Sequence, residues 1–416
     1  MSTISLCMIV RNEERNIRRC LASVAGAVDE MIVVDTGSED GTCAVAGANG
    51  AKVLRHPWND DFAAARNASL EPATGDWIFF LDADEELAAG AGETLRRTVE
   101  SAPDEIEGYF ARIANLMGDP QAPERHPDVV FRLFRNRPEY RFHGAIHEQV
   151  ADVIERAVGR PCLAQALDVE IVHRGYLGDQ NAKIARNLAM LEQVLAGTTE
   201  NYLYNYHYGI ELYRAGRYRD AIGALTRAFR GLGQDQVVMP KLLRALVVCH
   251  HQGGEYQAAL DIATLGLCLY PDFPDLRYWA GMACVGLGRY AEARDHFIGA
   301  VTAPVDTPPG YGSVPSIRRR ANEALDRLMD TMAASRLALL TPWELLTTYL
   351  ALPDDGTYDL RRDGGTTWLP AVTREAIRAQ MDWRGPWLGD AEFLGVRPEE
   401  DGLVFALGAA ESQGPV

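Results

Sequence analysis

Asp82 and Asp84 stand two residues apart in the stretch DWIFFLDADEEL (76–87), directly after an apolar run. Two carboxylates at this spacing, leaving the end of a strand, can converge on one hard cation that also bridges phosphate oxygens. Without a neutralising partner, like charges this close repel. The competing reading is a polar strand end followed by a helix from Glu85, where acids suit the helix dipole. Glu85 and Glu86 are expected as the solvated start of that helix.

Other polar residues end other apolar runs. Arg11, Asn12 and Glu13 follow SLCMIV (5–10), and Asp35 to Ser38 follow MIVVD (31–35). Between and beyond them lie the helical spacing of Ile17, Leu21 and Val24, the strand-like AKVLRH (51–56) and the helical DFAAARNASL (61–70). Strands alternating with helices at this pitch predict a parallel sheet covered on both faces, with the ligand site beyond the carboxyl ends of its strands. Ser38 reads as a helix N-cap. From about residue 106, EGYFARIANL, DVVFRLFRN, HEQVADVI and ALDVEIVH predict strands that extend the sheet antiparallel, ending near Gly175. On a strand, neighbours point to opposite faces, so only one of His147 and Glu148 in HGAIHEQV would look into a site.

Beyond about residue 180 the chain repeats. AGRYRDA (215–221), GGEYQAA (253–259) and LGRYAEA (287–293) share G-x-Y-x-x-A at a spacing near the tetratricopeptide period. Each unit is a helix pair that buries its small-residue face only against a neighbour. The expected organisation is an α/β domain over 1–178, a tetratricopeptide-like helical domain over 179–336, and a helix (PWELLTTYLAL) with an irregular tail over 337–416.

A net charge of −17 argues against binding a phosphate backbone as the main activity, while leaving room for a local basic pocket for one nucleotide. No apolar run approaches a membrane span and the N-terminus does not read as a signal peptide. Seven cysteines without a C-x-x-C pair suit a reduced, cytoplasmic setting with no zinc or disulfide framework.

SLCMIVRNEERNIRRCLASV, DEMIVVDTGSEDGT, AKVLRHPWNDDFAAARNASL and TGDWIFFLDADEEL, in this order, resemble the family 2 glycosyltransferases of the GT-A fold. FRLFRN, FHGAIHEQV and IVHRGY are similar to a subgroup that includes sublancin-type S-glycosyltransferases. The resemblance spans about residues 3–176 and implies a nucleotide-diphospho-sugar transferase. It implies that Asp35 accepts a hydrogen bond from uracil, although DTGS lacks the second acid of the family's DDGS. Asn12 and Glu13 would line the ribose, with Val10 and Ala83 beside the nucleotide. Arg66 would approach the nucleotide or its phosphates. Asp82 would face ribose and metal, Asp84 would bind Mg2+ or Mn2+, and His173 would join the metal or the diphosphate. Plainer roles stand beside these: Glu13 in a first helical turn, Arg66 paired with Asp60 or Asp61, His173 as a structural histidine. Arg132 and Arg135 would contact phosphate or form a charged strand face, and Trp58 would line a sugar pocket or pack in the core.

Transfer from a nucleoside diphosphate sugar releases a diphosphate, whose growing charge a divalent ion stabilises. Inverting transfer also needs a base on the opposite face of the sugar. Glu148 is the first candidate and His147 the second. The expected function is therefore a metal-dependent inverting transferase using a UDP-sugar, its acceptor a peptide Cys or Ser side chain bound by the repeats. A saccharide, lipid-linked or small-molecule acceptor is the alternative, and a non-catalytic nucleotide-sugar-binding scaffold is the rival from another class. The repeats can instead form a homodimer. If the repeats only recruit acceptor, deleting residues 180–416 should leave donor hydrolysis intact.

Overall fold

The computed structural model describes residues 2–177, 180–198, 201–233, 238–304, 314–337, 358–361, 367–372, 393–399 and 402–407. The first half runs β1 (Ile4–Val10), α1 (Glu14–Val24), β2 (Glu30–Asp35), α2 (Thr42–Ala48), β3 (Lys52–Arg55), α3 (Phe62–Leu70), β4 (Trp77–Phe80), β5 (Glu85–Leu87), α4 (Ala91–Glu100), β6 (Gly108–Met117), β7 (Glu124–Arg135), α5 (Ala151–Val158) and β8 (Leu163–His173). Eight strands form one sheet in the order β3-β2-β1-β4-β7-β6-β8-β5. The first four are parallel, as the alternating pattern predicts. Side chains alternate across the pleat and fill two cores. Trp77, Phe79 and Leu81 join one with Ile17 and Leu21, while Ile78 and Phe80 join the other with Phe134 and Phe142. A sheet buried on both faces is what its unbroken apolar runs require.

Four expectations change here. The extension beyond β4 is mixed: β7 is antiparallel to β4 and β6, but β8 lies parallel to β6. HEQVADVI is no strand; His143 and Gln149 close a tight bridged loop, and α5 follows it. Asp82–Glu86 does not open a helix. Glu85 N donates to Asp82 O at 3.0 Å, and the chain then enters β5, antiparallel to β8. Ser38 is likewise not the cap of α2, whose N-cap is Gly41.

The helical half runs α6 (Asn181–Gly197), α7 (Tyr202–Arg214), α8 (Tyr218–Gly231), α9 (Met239–Gln252), α10 (Tyr256–Leu269), α11 (Pro274–Gly286), α12 (Tyr290–Thr302) and α13 (Ile317–Leu337). The repeat glycines Gly216, Gly254 and Gly288 take φ of +73°, +77° and +72° just past helix ends, where a side chain would be strained. The repeat alanines Ala221 and Ala259 are buried. Residues 1–289 with 299–318 form one compact unit, so the sheet and helices α6–α11 belong together. The second unit, 290–298 with 319–416, contains β9 (Tyr358–Arg361), β10 (Thr367–Val372), β11 (Phe393–Glu399) and β12 (Gly402–Leu407), in one sheet of order β10-β9-β12-β11. Strands thus occupy part of the segment expected to be irregular; PWELLTTYLAL lies outside the described residues. Among the described residues no helix is long and apolar enough to cross a membrane. Five of the seven cysteines are buried as core filler, and none of the seven is in a disulfide.

Candidate active site

A cavity of about 460 Å³ opens beyond the carboxyl ends of β1 and β4. The turn between β4 and β5 shapes its floor. Pairing β5 with β8 carries Asp84 to the end of β8, where Arg174 N donates to Asp84 O at 3.0 Å. Asp84 Oδ2 then lies 3.7 Å from His173 Nε2 and 3.0 Å from Lys183 Nζ. His173 Nδ1 faces Asn115 Oδ1 at 2.8 Å, which orients the ring with Nε2 toward the acid. A Cβ at Gly175 would collide with both Asp84 Oδ2 and His173 Nε2, so this position keeps the space between them open. Burial would raise the Asp84 pKa, but the nearby His173 imidazole and the charge of Lys183 hold it below the usual carboxylate range. Burial likewise pulls on His173, and Asp84 outweighs it, so the imidazole pKa is raised.

Asp82 belongs to a different cluster. Its Oδ1 accepts from Arg66 Nη2 at 2.8 Å, and Arg132 Nη2 lies 3.8 Å from its Oδ2. Enclosure alone would raise its pKa, yet Arg66 and Arg132 hold it well below normal. Arg66 comes from α3, which Asp61 caps by accepting from Ala64 N at 2.9 Å, so that acid is not its partner. Both guanidiniums lie over the Phe80 ring, at 5.3 and 4.9 Å from its centroid. Arg132 also pairs with Glu85 at 2.8 Å, a side chain only 2% exposed. Glu86 pairs with Arg19 and Arg174, each at 2.8 Å. The two glutamates are therefore structural ion-pair partners and not a solvated helix start. Arg66 Nη1 is buried without a hydrogen-bond partner, an unspent donor at the pocket wall.

Glu148 and His147 arrive on the bridged loop. Asn67 of α3 grips its base, donating from Nδ2 to Phe142 O and accepting from Phe142 N, at 2.9 and 2.8 Å. Phe62 N donates to Ala145 O at 2.8 Å. His147 takes φ of +53°, which breaks strand alternation, and both His147 and Glu148 line the pocket. The expectation that only one could do so fails because the segment is not a strand. Arg66 Nε donates to Glu148 Oε1 at 2.5 Å. His147 stacks on His207 of α7, centroids 3.7 Å apart and planes at 10°. Burial pushes His147 down to about 4 and His207 well below its ordinary value, so both are neutral at pH 7. His147 Nε2 has no hydrogen-bond partner.

Val10, Glu13, Arg66, Asp82, Ala83, Asp84, His147, Glu148 and His173 all line the cavity, as do Trp58 and Arg132. Asn12 and Asp35 do not. Asn12 Oδ1 accepts from Glu39 N at 2.8 Å, and buried Asp35 accepts from Ser38 N at 3.0 Å. Arg135 faces away, its guanidinium 4.6 Å over the Trp77 ring. Sequence reasoning missed Lys183, Arg186 and Asn187 of α6 and His207 of α7, which also line the cavity. The only signal for them was a basic pair at i, i+3 soon after the last strand of the sheet.

Residues 5–152 match the family model described as Glycosyl transferase family 2. A TPR repeat-containing protein of Synechococcus elongatus is 38% identical over 268 residues, 63% of this chain and 65% of that protein. The SPbeta prophage-derived glycosyltransferase SunS of Bacillus subtilis is 28% identical over 237 residues, 54% of this chain and 53% of that protein. The matched part of the chain thus spans between about half and two thirds of the length of these curated relatives. Among solved structures, glucosyl-3-phosphoglycerate synthase from Mycobacterium tuberculosis in complex with Mn2+ and UDP-glucose is similar with a TM-score of 0.34 at 19% identity, covering 47% of this chain and 77% of that one.

Proposed function

We propose that this chain, whose N-terminal region carries a family 2 glycosyltransferase domain, transfers a sugar from a UDP-sugar to an acceptor with inversion, using a divalent ion. The observation that carries the reading is the convergence of Asp84, His173 and the Arg66–Asp82–Glu148 cluster on one cavity at the strand ends of that domain. Asp84 and His173 with the gap kept by Gly175 fit Mg2+ or Mn2+. Among the described residues no three His, Cys, Asp or Glu side chains stand ready as a cage. An ion held by one carboxylate, one imidazole, diphosphate oxygens and water is the arrangement such a pair allows. When bound, it would neutralise charge on the departing diphosphate. Asp82 is committed to Arg66 and Arg132 and serves to aim them; Arg66 Nη1 remains to donate to the diphosphate or ribose.

Glu148 is the proposed base. Arg66 holds its Oε1, which leaves Oε2 to take the acceptor's proton across the cavity from Asp84. The resemblance to sublancin-type enzymes favours a peptide cysteine or serine as acceptor. A saccharide, lipid-linked or small-molecule acceptor is the other outcome of an acceptor screen.

The test is UDP release from a panel of UDP-sugars with Mn2+ and cell extract. Metal-dependent release is expected, and Asp84→Ala should lose it while keeping its circular dichroism spectrum. UDP binding without turnover under any condition would favour the nucleotide-sugar scaffold instead. Normal turnover by Asp84→Ala would remove that residue from the metal site.

A further inference from the structure

Lys183 and Arg186 stand three residues apart on α6, so they share a face, and both line the cavity. Lys183 already neutralises Asp84. Arg186 has no carboxylate in ion-pair range among the described residues. Its Nε and Nη2 donate to the neighbouring Asn187 Oδ1, at 3.3 and 3.0 Å, and its guanidinium lies 5.2 Å from the Phe62 ring centroid. Glu211, on the same side, is engaged by Asn187 Nδ2 and by Arg214 through both of its oxygens. Arg11 also lines the cavity; burial lowers the Arg186 pKa, Glu211 offsets this in part, and Arg11 repels the guanidinium.

A chain with 58 acids against 41 bases has carboxylates to spare. Two arginines facing one cavity without one, beside a lysine shared with Asp84, are an electrostatic arrangement that a multivalent anion would relieve. The rise between Lys183 and Arg186 is about 4.5 Å along the helix axis, a span that suits the two phosphates of one diphosphate. Lys183 also sits on Asp84, the acid where the proposed reaction places that group.

We infer that Lys183, Arg186 and Arg11 form a clamp for the donor's diphosphate, so that the first helix of the helical half supplies part of the donor site. This inference rests on the transfer reading above and adds to it two ligands, Lys183 and Arg186, from outside the α/β region.

Calorimetry on the full chain in EDTA isolates the clamp from any metal, with UDP and uridine as probes. Wild type should bind UDP at least about tenfold more tightly than uridine. Lys183→Met and Arg186→Met should each weaken UDP about tenfold and leave uridine unchanged, as expected for losing a charge-assisted contact. If Arg186→Met binds UDP as tightly as wild type, the clamp is wrong while the transfer reading stands, and Arg186 then serves an anionic acceptor. If wild type binds neither uridine nor UDP in EDTA, the clamp is wrong, and if UDP still fails to bind with Mn2+ restored, the transfer reading falls with it.

Discussion

Arg66 organises the floor of the cavity because one guanidinium meets two acids that come from separate segments. Its Nε holds Glu148 and its Nη2 holds Asp82, at 2.5 and 2.8 Å. The contact fixes Glu148 as firmly as a base needs, but it also makes that carboxylate an anchor. The two roles separate kinetically. Glu148→Gln keeps an acceptor oxygen for Arg66 and loses the base, so kcat should fall by about 10² or more while UDP affinity changes little. His147→Gln should cost less than about tenfold in kcat on the same reading. Stopped UDP-release assays beside UDP titrations decide it: the reverse ranking makes His147 the base. Asp82, Asp84 and Arg66 were legible in the sequence because they lie in runs whose order carries the family resemblance. The division of labour between the two aspartates was not, since it depends on which cation reaches each one.

At the scale of elements, the turn from β4 into β5 and the bridged loop at 143–149 decide the site. β5 exists because Glu85 and Glu86 have cationic partners and because β8 offers an edge to pair with. Acid-rich residues after a strand read locally as a helix start, and only the distant strand overrides that preference. The bridged loop is likewise set from afar, by Asn67 of α3 and by α7, whose Tyr204 hydroxyl comes so close to Gly144 that a Cβ there would lie 2.7 Å from it. Gly144 also takes φ of +93°. The stack of His147 on His207 ties this loop to α7 and carries a pH dependence. Both imidazoles are held below their ordinary values, so their contribution to stability is complete above about pH 6.5. It is lost as the pH falls from there toward about 4, where His147 protonates in the fold. The melting temperature of wild type should drop over that window, and His207→Gln should drop less, having one fewer neutral imidazole to charge. Parallel curves for the two proteins would exclude the stack as the cause.

On the scale of the whole molecule, the α/β region and helices α6–α11 form one compact unit, and the cavity takes residues from both. Truncation therefore carries a different expectation from the one the sequence suggests. A chain ending at residue 178 loses Lys183, Arg186 and His207, so donor hydrolysis should fall by at least about tenfold relative to the full chain. UDP-sugar hydrolysis by the truncated protein measures this, with circular dichroism to check that the sheet survives. A full hydrolysis rate would return the helices to the role of acceptor recruitment alone. The sequence by itself determined the parallel sheet, the repeat pitch with its three glycines, and the acids at the strand ends. Those features follow from local periodicity, from backbone sterics and from where apolar runs stop. The ion pairs of Glu85 and Glu86, the non-strand loop that turns both His147 and Glu148 inward, and the delivery of α6 cations to Asp84 were decided by tertiary structure. Each depends on groups brought together from distant positions, and no local pattern encodes which of them meet. Of the four acids in DWIFFLDADEEL, Asp82 and Asp84 face the cavity and Glu85 and Glu86 hold arginines, a partition set by the cations that fold against them.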